Sequence, residues 1–180
     1  MSEELRYSGI ETVFGEINIV WKEATYLKVQ RIILPHQVHT LEEKLPHAKK
    51  SVNPNISRLL DSIALFLEGE EVSFDLELMD LDLCSYFQQK VLLAEYGITR
   101  GSISTYSRIA RHIGKPKAAR AVGNALASNP FPLIIPCHRA VRSDGSLGGY
   151  QGGLEMKRRL LEMEGVRVHN RRVDMEKLVY

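Results

Sequence analysis

A chain of 180 residues with 44% hydrophobic and 26% charged residues has an ordinary globular composition, long enough for one good core or two small domains, which excludes a disordered chain. No stretch approaches the roughly 18 apolar residues of a membrane span, and the acidic start Met1-Ser2-Glu3-Glu4 is unlike a secretory signal; the expected setting is the cytoplasm, or the nucleus of a eukaryote, with no membrane partner. Two cysteines, Cys84 and Cys137, are too few for a disulfide framework or a Cys-rich zinc site.

The net charge of +2 divides unevenly. Residues 1–97 hold 9 Lys and Arg against 16 Asp and Glu, a net of −7, and residues 98–180 hold 15 against 6, a net of +9. A basic half fused to an acidic one fits a polyanion partner, and two solvated faces of opposite sign account for it equally well.

The acidic half opens on strands. Residues 14–21 alternate around Ile17, Ile19 and Trp21, and residues 29–34 follow a short polar break, which together predict a hairpin or small sheet. Asn53 as N-cap and Pro54 at the first helical position start a helix with Ile56, Leu59, Leu60, Ile63 and Leu67 on one face and Gly69 as its stop. Residues 72–78 alternate again and predict a strand. His36, His39 and His47 invite a metal reading, but Pro35 and Pro46 bracket a segment without helical period and no thiolate sits at ligand spacing, so no metal is expected. No internal repeat is found, and this half reads as a scaffold.

The basic half predicts helices. Residues 83–96 suit one, with Phe87, Val91, Leu92 and Tyr96 on one face and Gly97 as its end. Ser104 can cap a second over residues 105–112, burying Ile109 and Ile113 and stopping at Gly114. Pro116 starts a third, whose inner face is Ala118, Ala119, Val122, Ala125 and Leu126 and whose outer face is Lys117, Arg120, Gly123, Asn124 and Ala127. Small residues let a helix approach a groove closely, and one long cation among them can reach into a duplex. That is the pattern of a helix-turn-helix, and a helical hairpin with a solvated face shows it too.

Next comes an apolar run, residues 133–135, read as a buried strand that Pro136 ends just where Cys137 and His138 appear. A cysteine with a neighbouring histidine is a nucleophile candidate, although buried cysteines are mostly inert. Adjacent side chains on an extended segment point apart, so Cys137 and His138 are not expected to touch directly. Free Cys has a pKa of about 8.5 and needs help to ionise. Glu164, at the end of a helix over residues 154–163, can return toward the strand exit and steady an imidazolium, or it is one more surface carboxylate.

From Tyr106 through Pro116-Lys117-Ala118-Ala119-Arg120-Ala121-Val122-Gly123, Asn129-Pro130-Phe131-Pro132, Ile135-Pro136-Cys137-His138-Arg139, Gly148-Gly149-Tyr150-Gln151-Gly152-Gly153-Leu154 and Leu160-Leu161-Glu162-Met163-Glu164-Gly165, the chain resembles the O(6)-alkylguanine-DNA alkyltransferases, over about residues 83–167. The resemblance implies an α/β N-terminal domain over residues 1–82, a small sheet plus helix. After it would come a mainly helical domain over residues 83–167, with a helix-turn-helix and a short active-site strand, and then a tail over residues 168–180. It implies single-turnover DNA repair in which Cys137 accepts the alkyl group irreversibly. His138 and Glu164 would activate it through a water, and Tyr106 would donate a proton to the departing guanine. Arg120 would fill the gap in the base stack, with Lys117, Gly123, Asn124, Ala127, Ser107 and Gln88 also toward DNA. Asn129 would brace the turn after the third helix, and Pro132, Ala140, Tyr150, Gln151 and Gly152 would surround the flipped base. The implied partner is double-stranded DNA containing alkylated guanine, met in the minor groove by a monomer able to bind cooperatively, with no cofactor and no metal. A lesion-binding protein without transfer activity is the alternative, and Cys137 argues against it. A cysteine hydrolase would need an oxyanion hole, for which the sequence gives no sign.

Overall fold

In the computed structural model, residues 4–23, 25–35 and 45–180 are described, and they divide into two compact units. The first comprises the chain to Leu83 together with Pro130–Ile134; the second comprises Cys84–Asn129 and Ile135–Tyr180.

The first unit is built on strands β1 (Arg6–Thr12), β2 (Gly15–Glu23) and β3 (Leu27–Ile33), with a two-residue β4 (Lys49–Lys50), in the order β3-β2-β1-β4. β1 and β2 pair antiparallel from Arg6↔Trp21 to Thr12↔Gly15, and β4 runs parallel to β1. β1 escaped the sequence reading because its Ser8 and Gly9 break the apolar alternation. Helix α1 (Pro54–Leu67) starts as its sequence predicts: the Asn53 side chain accepts from the amides of Asn55 and Ile56 at 2.9 and 3.4 Å. It buries Ile56, Leu60, Ile63, Phe66 and Leu67 and packs against β1.

The strand expected over residues 72–78 does not form. One parallel bridge, Val29↔Met79, touches β3, while Asp75 accepts the Glu77 amide at 2.5 Å in a local turn. Met79 is the residue that buries, and a segment with carboxylates at 75 and 77 has too little apolar surface to hold a ladder. His36 and His39 lie outside the described residues.

The second unit carries α2 (Tyr86–Tyr96), α3 (Tyr106–His112), α4 (Ala119–Ala127) and α5 (Gly153–Met163). Between them lies a parallel pair, β5 (Ser104–Thr105) with β6 (Ala140–Val141), in register Ser104↔Ala140 and Thr105↔Val141. Three expectations change here. Ser104 is in the pair, so Thr105 caps α3, accepting the Arg108 amide at 3.2 Å. Pro116 lies in a turn, and α4 begins at Ala119. On α2, Tyr96 is exposed, and Glu95 takes the buried place beside Val91 and Leu92.

Residues from 168 onward are not a separate solvated tail. They form the hairpin β7 (Val168–His169) and β8 (Arg172–Val173), and Val173 joins Ile103, Val141, Leu147, Leu161 and Val166 in one core cluster. The chain then bonds along Ile103 through Lys177 and Val179 at 3.0 and 2.9 Å, and Tyr180 donates its hydroxyl to the Ala94 carbonyl at 2.8 Å.

Candidate active site

The run 133–135 is not a strand. Pro130, Pro132 and Pro136 remove three ladder donors, and Leu133 sits at φ 74° in a buried turn. Cys137, His138 and Arg139 therefore stand on one tight 3-10 turn that leads directly into β6, rather than at the exit of a strand. Asn129 spans this loop: its side-chain amide donates to the Ile135 carbonyl at 3.0 Å, and its own carbonyl accepts from Gln151 at 2.7 Å.

The two-residue β5–β6 pair brings the chemistry together, because Tyr106 immediately follows one strand and Cys137–Arg139 immediately precede the other. Tyr106, Cys137, Arg120, Tyr150 and Gln151 line one cavity of about 430 Å³, with Gly123, Asn124 and Ala127 of α4 on its wall. Gly148 is required there. Its φ is +67°, and a Cβ would meet the Tyr106 hydroxyl at 2.6 Å. Pro132 groups with the first unit, and neither it nor Ala140 nor Gly152 lines the cavity.

His138 is fully buried, with Nε2 3.0 Å from Glu164 Oε1. Arg139 grips the same carboxylate with a two-pronged fork at 2.8 and 2.7 Å and also donates to the Ile98 carbonyl. Although burial works against it, His138 and the Arg139 guanidinium together hold the Glu164 carboxyl down to about 2, so it is ionised. Burial pulls His138 below its ordinary range against the pull of Glu164. A neutral imidazole facing a carboxylate must donate from Nε2, which leaves Nδ1 as the basic atom of the ring.

Burial pushes the Cys137 thiol up to about 12, while a hydrogen bond from the Asn129 side chain works the other way. At rest it is a protonated thiol, and a base is needed to make it a nucleophile. Burial, with the charges of Glu95 and Cys137, likewise pushes Tyr106 up to about 12, which suits a proton donor. Tyr150 meets the His138 ring edge-on at 6.2 Å between centroids. Its enclosed hydroxyl has no hydrogen-bond partner among the described residues. The arrangement can deprotonate a buried thiol, offer a phenolic proton nearby and hold a flat molecule between them.

Residues 86–166 match the family described as 6-O-methylguanine DNA methyltransferase, DNA binding domain. A crystal structure of Mycobacterium tuberculosis OGT in complex with DNA superposes with a TM-score of 0.74 at 33% identity, covering 88% of this chain and 92% of that one. The chain belongs to the 6-O-methylguanine DNA methyltransferase family. The O6-methylguanine-DNA methyltransferase of the hyperthermophilic archaeon Pyrococcus kodakaraensis KOD1 has a TM-score of 0.66 at 27% identity, covering 90% and 99%. The methylated-DNA--protein-cysteine methyltransferase of Methanothermobacter thermautotrophicus is 54% identical over 111 residues, which are 62% of this chain and 62% of that protein. The matched segment thus spans less than two thirds of that relative's length.

Within this family member, some expected DNA contacts are engaged elsewhere. Gln88 donates to the Ala125 and Ser128 carbonyls and the Ser128 hydroxyl at 3.0 to 3.2 Å, tying α2 to the end of α4. Ser107 bonds the Ser143 hydroxyl at 2.5 Å, tying α3 to the loop after β6. Arg120, Asn124 and Ala127 are exposed on α4, and Lys117 is exposed in the turn before it.

Four charged residues of the site went unassigned in the sequence reading: Arg139, Arg142, Glu95 and Lys157. Arg142 lines the cavity. Lys157 is fully buried and donates Nζ to the carbonyls of Ala140 and Gly149 at 2.6 and 3.3 Å. Its signal was available: Leu160 and Leu161, three and four places on, are both buried, so Lys157 occupies an apolar stripe. Glu95 stands in the same relation to Val91 and Leu92.

Proposed function

We propose that the protein repairs DNA by moving the alkyl group of O(6)-alkylguanine in double-stranded DNA onto Cys137, once per molecule. The observation that carries this reading is the buried Cys137 on the wall of the cavity, on one turn with a neutral His138 held by an ionised Glu164. The thiol proton passes through a water to His138 Nδ1, and Glu164 stabilises the imidazolium. Sγ then attacks the alkyl carbon, and the bond from that carbon to O6 breaks. The purine takes its proton from the Tyr106 hydroxyl, and the imidazolium proton restores the phenol through solvent. A donor aimed at developing charge is worth up to ~4 kcal/mol. The C–S bond of a thioether, unlike that of a thioester, is not opened by water and an acid–base pair, so the cysteine is a reagent consumed in use.

The target atom lies inside a duplex, so the nucleotide must be turned out, at a cost of a few kcal/mol that is least for a damaged, weakly paired base. Helices α3 and α4 act as a helix-turn-helix in the minor groove. Gly123 and Ala127 allow close approach, Lys117 and Asn124 meet the backbone, and Arg120 fills the vacated stack. Tyr150 walls the base, and its enclosed hydroxyl is available to bond it. The protein acts as a monomer on its DNA.

One observation favours a second reading, lesion binding without transfer: the Cys137 side chain is buried, which disfavours its thiolate. Incubation with duplex DNA containing O(6)-methylguanine, followed by peptide mass spectrometry, separates the two. A methyl group on the Cys137 peptide supports transfer, and tight binding with an unmodified Cys137 refutes it.

A further inference from the structure

Glu95 takes no part in the relay through His138 and Glu164. It lies in the last turn of α2 with no exposed surface, and α2 packs against the turn that carries Cys137. Neither carboxylate oxygen has a hydrogen-bond partner among the described residues. A carboxylate here would face the negative end of its own helix and leave two buried acceptors unmet, so the neutral acid is the form the site accommodates. Burial accordingly pushes the carboxyl up to about 8, against the charges of Lys157 and Arg139.

The titratable and charged groups that feel Glu95 lie on four segments, and α4, which also packs against α2, contributes none of them. They are Cys137 and Arg139 on the 3-10 turn, Lys157 on α5, Tyr106 on α3 and Tyr180 in the C-terminal segment. Arg139 is already committed to Glu164 and the Ile98 carbonyl. Among the described residues Lys157 is committed to two carbonyls and to no carboxylate, one carbonyl following the active-site turn and one on the cavity wall. Burial pulls it down to about 8, and the charges of Cys137 and Glu95 each pull it back up. A Cys137 thiolate and a Glu95 carboxylate each favour the Lys157 ammonium, so the two draw on one counter-charge.

We propose that Glu95 is a positioning residue of the transfer reaction: while neutral it leaves the Lys157 ammonium to the Cys137 thiolate, and when ionised it withdraws that support. The proposal rests on the alkyl-transfer reading for its consequence in repair. Its effect on the thiol is independent of DNA. In a protein with ionised Glu95 the thiolate gains a like charge nearby and loses its counter-ion, so alkaline solution gains less reactivity than the ionisation of a cysteine alone would give.

The test measures the rate at which iodoacetamide alkylates Cys137 between pH 6 and 9.5, read on the Cys137 peptide, in the native protein, Glu95→Gln and Glu95→Leu. The transfer rate from duplex O(6)-methylguanine is followed over the same range. The ratio of Glu95→Gln to native should rise by up to about tenfold, the size of a one-unit shift in the thiol, as pH climbs toward 8, and should level off above it as Lys157 itself loses its proton. On a Lys157→Met background that rise should shrink. Glu95→Leu should behave as Glu95→Gln, which guards against a folding defect peculiar to the amide. Parallel profiles, or an effect of equal size at every pH, would overturn the proposal. A divergent thiol profile without any methyl transfer would overturn the repair reading and leave the role of Glu95 standing.

Discussion

Among the described residues the first unit buries Trp21, Ile17, Ile19, Ile56 and Ile63 and, of polar side chains, only Ser8 and Asn18. The second buries Glu95, His138, Arg139, Lys157 and Glu164, each 8% exposed or less. Taking charges out of water is costly, and an apolar core of the same volume would be at least as stable. The two interiors answer different demands. One is packed for stability, and the other gives up part of its stability to hold charged groups around a thiol, an imidazole and a phenol.

Changes in the second unit should therefore act on chemistry, and the largest is at the sulfur. Cys137→Ala should reduce methyl uptake to background while leaving the melting temperature within a few degrees, checked by label transfer and calorimetry. Arg139→Ala should come next, because it strips Glu164 of its fixed counter-charge: a loss of roughly 3–5 kcal/mol in denaturant titration is expected. The pH dependence follows from the same carboxylate. Its folded value of about 2 lies below the ordinary 4.5, so its contribution is present above about pH 4.5 and disappears as pH falls toward 2. Acid titration of the native protein should show this loss, and Arg139→Ala should lose much less over that window.

Glu95 has the opposite sign. Its value is raised from 4.5 to about 8, so stability is full below about pH 4.5 and declines as pH rises through 8. The span corresponds to at most about 5 kcal/mol. Glu95→Gln should flatten stability against pH between those limits, and an unaltered slope would mean that the carboxyl is not the group responsible. A smaller effect is expected from Tyr106→Phe, which keeps the ring beside Gly148 and removes the proton. Transfer should slow by roughly 100- to 1,000-fold with duplex affinity retained.

Ile63→Ala probes the first unit instead. A fully buried residue of α1 is truncated, which should cost about 2–5 kcal/mol. The transfer rate of the protein that remains folded should stay at the native value. A large fall in rate would show that the first unit does more than support.

Much of this was legible in the sequence, for reasons that differ by element. α1 could be read because its cap, its proline and its apolar stripe all agree. Cys137, His138, Glu164, Tyr106 and Arg120 could be named because the ordered motifs resemble the family. The backbone around Cys137 could not: the apolar run reads as a strand by composition, and only the positive φ of Leu133 and the neighbouring prolines turn it into a loop. Glu95 and Lys157 were hidden because a charged residue is expected at the surface, although each stands on an apolar stripe. The packed C-terminal segment was missed because its polar residues conceal a spacing that places Val173 in the core.

The central claim is that Cys137 is consumed in removing an alkyl group from guanine. Duplex DNA with an isotopically labelled methyl at O(6) of guanine, titrated into a fixed amount of protein, tests it most directly. Uptake should stop at one methyl per chain, all of it on the Cys137 peptide. Label on another residue, or more than one repaired base per chain, would contradict it.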